Sequence, residues 1–381
     1  MEKLVTSDFR LGIIGGGQLG RMLALEAADW DIRTAHLDSD EEAPAYIIAD
    51  QFRKGSMTSY DDVVRFGQTV DVVTVESDNV NADALEYLAK QGKRVYPTAA
   101  TLRIIQDKGL QRNFCKEKGL PVPKYEVFEN KQELLQSKNW TFPYIVKTRK
   151  AGYDGKGVFL IKAESDLTQV PDVGLVAEEK VKLQRELTVI AARNAKNEVV
   201  TYPVIEMFMS PSAYLVDYLI GPAEVTDSLQ NEARRIGSEL VQALDIQGML
   251  AIELFVDADG RLLINEASPR PHNSGHQTIE GSLTSQYEQH LRGIMNLPLG
   301  SCETKMPAGM INLLGEPEAD GEVRYEGLNE CLAMPGVKLH IYGKKQVRPF
   351  RKMGHITVLD RNYEELIKKI RQIKKTVKVL S

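Results

Sequence analysis

The chain is poor in everything that would staple it or anchor it. It has three cysteines, Cys115, Cys302 and Cys331, with no C-x-x-C pair, so a disulfide framework or a structural zinc site is not expected. No apolar run approaches the roughly 18 residues that a membrane-spanning helix needs, and the opening residues show no signal-peptide pattern, so a cytoplasmic setting and no membrane partner are expected. Charge of one sign is also scarce: the net charge is -5 over 381 residues, which excludes bulk attraction to nucleic acid. Tryptophan occurs twice, and there is no low-complexity tract or internal repeat. What remains is ordinary globular composition in a chain long enough for two or three cores.

From Leu11 short apolar runs alternate with helical patterns. LGIIGGG precedes QLGRMLALEAADW, then IRTAHLD, VDVVTVES and NADALEYLAKQG follow, the last with Asn81 as a candidate cap. This alternation predicts an open parallel α/β unit over residues 1–100. A helical stretch, TAATLRIIQDKGLQRNFCKEKG, leads into segments of β type: YIVKTR, GVFLIKA, LTVIAARN, VVTYPVIEM and YLVDYLIG. A long helix and the pair MLAIELFV and RLLINEAS complete a central unit, 101–300, and a small β-rich unit, 301–381, follows.

Four constellations carry chemistry. Gly15, Gly17 and Gly20 form G-x-G-x-x-G between a strand and a helix, with Asp38 closing the next strand. That pattern turns backbone N–H groups and a helix N-terminus toward an anion, which suits a dinucleotide or a phosphorylated substrate. In MLAIELFVDADGRLLINEAS a two-residue loop at Asp259 and Gly260 would set Glu253 opposite Glu266 on one face of a hairpin. Facing carboxylates repel, and a divalent cation offsets that repulsion, as Mg²⁺ does beside phosphates. A longer loop with a bulge would instead shift the register and part them.

The third constellation, YIVKTRKAGYDGKGVFLIKA, sets Lys147 in a strand before a glycine-rich loop with Lys150 and Lys156; being strand-loop-strand, it is no Walker A loop. In the fourth, ASPRPHNSGH, Pro269 and Pro271 stop the ladder two residues after Glu266. Arg270, His272, Asn273, Ser274 and His276 therefore leave the carboxylate hairpin directly, as donors to an oxyanion with a proton shuttle among them. Lys344, Lys345, Arg348, Arg351 and Lys352 could converge on a phosphate.

These segments together resemble the ATP-grasp ligases, and within them the 5-(carboxyamino)imidazole ribonucleotide synthase family. GGGQLGRM, TVESDNV, LRIIQDK, KTRKAGYDGKGVF, ELTVIAARN, NEASPRPHNSGH and KKQVRPFRKMGH carry the resemblance along essentially the whole chain. It implies an α/β and α+β three-domain ATP-grasp architecture, with a lid at about 122–182 and ATP between two antiparallel sheets. It implies ATP contacts from Arg103, Lys147, Gly152, Tyr153, Asp154, Gly155, Lys156, Gly157, Val158, Glu178, Glu179, Lys180, Val181, Glu186, Asn265 and Glu266, with Glu253 and Glu266 on Mg²⁺ or Mn²⁺. Arg270, His272 and Asn273 become the catalytic group handling bicarbonate. Gln18, Leu19, Glu76, Tyr153, Asp154, Ser274, Lys344 and Arg351 become the site for aminoimidazole ribonucleotide.

The implied activity is ATP-dependent carboxylation of that nucleotide in purine biosynthesis, by a homodimer. One departure stands out: YPVIEMFM ends in Met209 where the family commonly has His, and a thioether is a weak hydrogen-bond partner. The rival readings are another ATP-grasp carboxylase or transformylase, a nucleotide-binding protein without catalysis, and an NAD-dependent oxidoreductase resting on the first glycine cluster alone.

Overall fold

The computed structural model describes residues 8–150, 152, 156–210 and 215–381. The first strands, β1 (Arg10–Ile14), β2 (Arg33–Asp38), β3 (Gln51–Lys54), β4 (Val72–Val75) and β5 (Arg94–Tyr96), pair in parallel in the order β3-β2-β1-β4-β5. The strand order reverses between β1 and β4, so a crevice opens beyond their carboxyl ends, where doubly wound sheets bind ligands. β1 and β4 are buried almost throughout, as a sheet covered on both faces requires. Asn81 caps its helix as expected, accepting from the Ala84 amide at 2.9 Å.

The helical stretch after Pro97 is two helices, Ala99–Gln106 and Lys108–Glu117, where the sequence pattern reads as continuous. Asp107 leaves helical geometry (φ -123°, ψ 109°) and its carboxylate accepts from the Gly109 and Leu110 amides, which starts the second helix afresh. The break places Lys108 at that helix's first position.

A small antiparallel sheet follows, of β6 (Tyr125–Phe128), β7 (Tyr144–Thr148), β8 (Val158–Ile161) and β9 (Leu175–Glu179), in the order β6-β9-β7-β8. The central sheet begins with β10 (Leu183–Arg193), β11 (Val199–Thr201), β12 (Ile205–Met209), β13 (Val216–Gly221), β14 (Gly248–Asp257) and β15 (Leu262–Ser268). It continues without interruption into β16 (Ala308–Leu314) through the pairing of Tyr218 with Ile311. Of the later strands β17 (Gly321–Glu322), β18 (Arg324–Glu326), β19 (Val337–Ile341), β20 (Gln346–Val347), β21 (Lys352–Leu359) and β22 (Lys378–Leu380), β21 and β19 extend the same sheet. The C-terminal β-rich segment thus joins the central sheet edge to edge and lengthens the sheet that carries the hairpin.

Alternation along β14 explains how the cleft is backed. Leu250, Ile252, Leu254 and Val256 join the cluster under the helix Asp227–Ala243, and Met249 and Ala251 face the other way. Glu253 and Phe255 continue that second face, into the cleft.

Candidate active site

A cleft of about 580 Å³ lies between the small sheet and the central one. Ile145, Val158, Leu183, Leu215, Val216 and Phe255 give it an apolar wall, and Lys108, Lys147, Lys156 and Lys352 bring cations to it. Among the sequence-predicted ATP residues it gathers Lys147, Gly152, Lys156, Val158, Glu178, Glu179, Lys180, Val181, Glu186, Asn265 and Glu266. Gly157 sits in the left-handed region at φ +74°, closing the loop back on Thr148. Tyr153, Asp154 and Gly155 lie outside the described residues.

Glu253 does face Glu266, but by a route other than the one read from the sequence. The loop holds three residues, Ala258 to Gly260, closed by a bond from the Asp257 amide to the Arg261 carbonyl at 3.0 Å, with Gly260 at φ +79°. Near the turn Val256 pairs with Leu262 and Leu254 with Ile264, a register that would leave Glu253 opposite Asn265. A bulge at Asn265 inserts one residue and restores the glutamate pair. It also lets Asn265 and Glu266, adjacent in sequence, both line the cleft. Two departures from a regular hairpin cancel.

The carboxylates are only partly compensated. Glu266 meets Lys108 Nζ at 2.7 Å, and Glu253 accepts from Asn265 Nδ2 at 3.2 Å with His272 Nε2 3.9 Å away. Burial, then the Glu266 charge, pushes the Glu253 carboxyl well up; burial also pushes Glu266 up, but the adjacent Lys108 outweighs it and holds Glu266 low. Among the described residues no three His, Cys, Asp or Glu side chains form a metal cage. Two facing, under-compensated carboxylates are the donor set that Mg²⁺ takes when phosphate oxygens and water fill the rest of its shell.

Lys147 is held from behind. Its Nζ meets Glu178 Oε2 at 2.8 Å and Asn265 Oδ1 at 3.1 Å, and Arg112 Nε meets Glu178 Oε1 at 2.8 Å. Burial alone would raise the Glu178 carboxyl, but the two cations hold it at about 2. Its side chain is therefore spent on Lys147 and Arg112, which leaves recognition at Glu178–Val181 to the backbone and to the later side chains. The sequence reading missed Lys108 and Arg112, whose only local signal is the four-residue spacing that sets them on one helix face. Arg103 is not brought to the cleft: it pairs with Asp83 and Glu86, both at 2.6 Å, on the outer helices of the parallel sheet.

Arg270, His272 and Asn273 lie where the prolines turn the chain out of β15, and each is tied to a different segment. Asp78, just past β4, grips Arg270 with two bonds, Nε to Oδ1 at 3.0 Å and Nη2 to Oδ2 at 2.5 Å. Gln286 holds the His272 backbone at both ends, accepting its N–H at 2.9 Å and donating to its carbonyl at 2.8 Å. His272 Nδ1 and Ser274 Oγ are 2.9 Å apart. Asn273 Nδ2 donates to Asn312 Oδ1 at 2.9 Å.

The amides of the first glycine cluster are already taken, by carboxyl groups of the protein itself. Glu76, at the end of β4, accepts from the amides of Gly17 at 2.7 Å and Gly20 at 2.6 Å, and Asp38 accepts from Gly16 at 2.7 Å. A Cβ on Gly17 would lie 2.5 Å from Glu76 Oε1, so the close approach requires glycine there. Asp38 is thereby committed to the turn, and the dinucleotide reading loses both its free amides and its acidic partner. Gln18 and Leu19 open the helix Gln18–Ala28 beside this knot. The basic loop that carries Lys344 and Arg351 is drawn to the same end of the sheet by Lys345, which meets Glu42 at 2.6 Å. Lys344 Nζ donates to the Lys352 carbonyl at 2.7 Å, and Arg351 Nη1 to the Gln346 carbonyl at 2.6 Å.

A nucleotide-sized cleft between two antiparallel sheets, with paired carboxylates on a hairpin and a buried lysine on the smaller sheet, defines the ATP-grasp class. The comparisons agree: residues 113–287 match the ATP-grasp domain, 9–106 the ribonucleotide synthetase preATP-grasp domain, and 308–369 the phosphoribosylaminoimidazole carboxylase C-terminal domain. The N5-carboxyaminoimidazole ribonucleotide synthase of Aquifex aeolicus is 35% identical over 95% of this chain and 95% of its own. The N5-carboxyaminoimidazole ribonucleotide synthetase structure from Thermotoga maritima superposes with a TM-score of 0.91 at 41% identity, over 98% of this chain and 99% of that one. The Aspergillus clavatus N5-carboxyaminoimidazole synthase, solved with ADP and 5-aminoimidazole ribonucleotide, matches at TM-score 0.88 and 30% identity over 97% and 98% of the two chains. This chain belongs to the N5-carboxyaminoimidazole ribonucleotide synthase family. It spans 64% of the length of the chloroplastic phosphoribosylaminoimidazole carboxylase of Vigna aconitifolia, to which it is 37% identical over 92% of its own residues.

Proposed function

We propose that the protein couples ATP cleavage to the carboxylation of 5-aminoimidazole ribonucleotide by bicarbonate, giving the N-carboxylated nucleotide, ADP and phosphate in purine biosynthesis. The observation that carries the reading is Glu253 set opposite Glu266 in the cleft, with Arg270, His272 and Asn273 leaving the same hairpin. The apolar wall takes the adenine, Glu186 the ribose hydroxyls, and Lys108, Lys147, Lys156 and the glycine loop the phosphates. Glu253 and Glu266 would hold Mg²⁺, which when bound neutralises charge on the phosphoryl group in transfer.

A bicarbonate oxygen attacks the γ-phosphorus and ADP leaves, forming carboxyphosphate. Its carbon–oxygen bond then breaks to give CO₂ and phosphate. The exocyclic amine of the ribonucleotide attacks the CO₂ carbon and loses a proton, which His272, a ring base lining the cleft, would take. Arg270 and Asn273 orient the anion, and water, which would destroy the intermediate, must be kept from the cleft during the reaction. Gln18, Leu19, Ser274, Lys344 and Arg351 bind the ribonucleotide, with Tyr153 and Asp154 as further contacts, and Glu76 serves that site by holding the Gly17 and Gly20 amides of the turn beside it. Units divided near residues 100 and 300, a homodimer and a cytoplasmic setting complete the proposal, the last supported by three free, buried thiols.

The test is phosphate release from ATP. It should rise on adding bicarbonate and rise further with the ribonucleotide; release that ignores both additions rejects the assignment. NADH fluorescence should show no saturable change, and light scattering checks the dimer.

A further inference from the structure

Asn312 stands in the middle of β16, AGMINLL, whose other side chains are apolar. It is 6% exposed, and a buried amide in a sheet destabilises the fold unless its groups are bonded. Here they are. Nδ2 donates to the Val216 carbonyl at 2.8 Å and to Asn273 Oδ1 at 3.2 Å, while Oδ1 accepts from Asn273 Nδ2 at 2.9 Å. The two amides form a head-to-tail pair. A backbone carbonyl can only accept, so Val216 decides which end of Asn312 is nitrogen. That choice in turn decides which end of Asn273 is nitrogen.

The consequence falls on the reaction site. Asn273 lines the cleft, and its amide nitrogen keeps one hydrogen beyond the pair with Asn312. If Asn273 were free to flip, its carbonyl oxygen would alternate with that hydrogen, and an oxygen lone pair repels an anion.

We propose that Asn312 is a positioning residue for the carboxylation: relayed from the Val216 carbonyl, it locks the Asn273 amide so that an N–H faces the bicarbonate anion. This rests on the reading of Asn273 as a bicarbonate residue. It also gives the junction of β13 and β16 a role in chemistry, since Val216 and Asn312 stand on those neighbouring strands.

Two variants test it in the full-length protein. Asn312→Leu removes the relay, and Asn312→Asp keeps the shape but offers acceptors alone. Each should raise the KM for bicarbonate at least tenfold while the KM for ATP stays within twofold. A bicarbonate KM within twofold of wild type, both KM values rising together, or failure of both variants to fold would each overturn the relay in favour of a structural role. Asn273→Ala separates the two readings. If it raises the bicarbonate KM and the Asn312 variants do not, the relay alone fails; if it leaves that KM unchanged, the bicarbonate reading of Asn273 fails and the relay with it.

Discussion

The protein treats two pairs of acidic side chains in opposite ways. At the end of the parallel sheet, Glu76 and Asp38 are met by three backbone amides at the start of the helix Gln18–Ala28. On the hairpin, Glu253 and Glu266 face each other, with Lys108 on Glu266 and with the Asn265 amide and His272 beside Glu253. Backbone amides arranged by glycine fix the Glu76 carboxyl in place, although its burial raises it above the ordinary carboxylate value. Side chains left in mutual repulsion await a counter-charge from outside. The contrast separates the carboxyl groups that build the scaffold from those proposed to hold the metal.

The comparison breaks most sharply at Glu266. Glu266→Gln should lower turnover by about a thousandfold, the scale on which loss of one preorganised charged contact in a site is felt, while circular dichroism stays unchanged. Near-normal turnover would place the metal elsewhere. At the other pair the effect should fall on the fold. Glu76→Gln replaces an acceptor with an amide that cannot serve both Gly17 and Gly20, and should cost about 2 kcal/mol in urea unfolding. An unchanged midpoint would show that the amides find other partners.

A smaller effect of opposite sign is expected at Glu253. Burial, then Glu266, pushes this carboxyl from its ordinary 4.5 to about 8. The folded, metal-free protein thus holds a proton that the unfolded chain releases. The stability linked to that proton is fullest below about 4.5 and is lost as pH rises toward 8. Glu253→Gln removes the dependence and should stabilise the metal-free protein by about 1 kcal/mol at pH 8, and by less at pH 6. Paired urea titrations at the two pH values decide this; a destabilised variant at pH 8 would mean that the carboxylates are not in conflict. The mildest change is Met209→His, on the cleft wall. Restoring a ring donor should lower the KM for ATP about threefold, and a rise would show that the thioether is the better fit here.

How the residues spoke in sequence explains which parts were legible. Leu11–Ile14 and Val72–Val75 are apolar runs bounded by turn residues, and burial on both faces of a sheet writes itself as such a run. The prolines at 269 and 271 announce a chain that must leave its ladder, and it does so after Ser268. The Glu253–Glu266 pairing is legible in the sequence, but the two-residue loop that predicts it is not the loop that forms. Gly260 took the left-handed position of a three-residue loop, and the bulge at Asn265 corrected the register. Nothing in the order of residues marks a bulge, because it is settled by which side chains two strands can bury together. Arg103 and Lys108 show the same limit. They lie five positions apart in one helical pattern, and only the break at Asp107 sends Lys108 to the cleft while Arg103 stays with Asp83 and Glu86.

Periodicity, turn residues and glycine spacing are local, and they were enough to define the parallel α/β start, the hairpin and the family resemblance. The partners of each charged group are not local. Asp78 with Arg270, Arg112 with Glu178 and Asn273 with Asn312 join residues 192, 66 and 39 positions apart. Their meeting depends on how sheets and helices pack, since a buried polar atom takes whichever partner the fold brings within 3 Å.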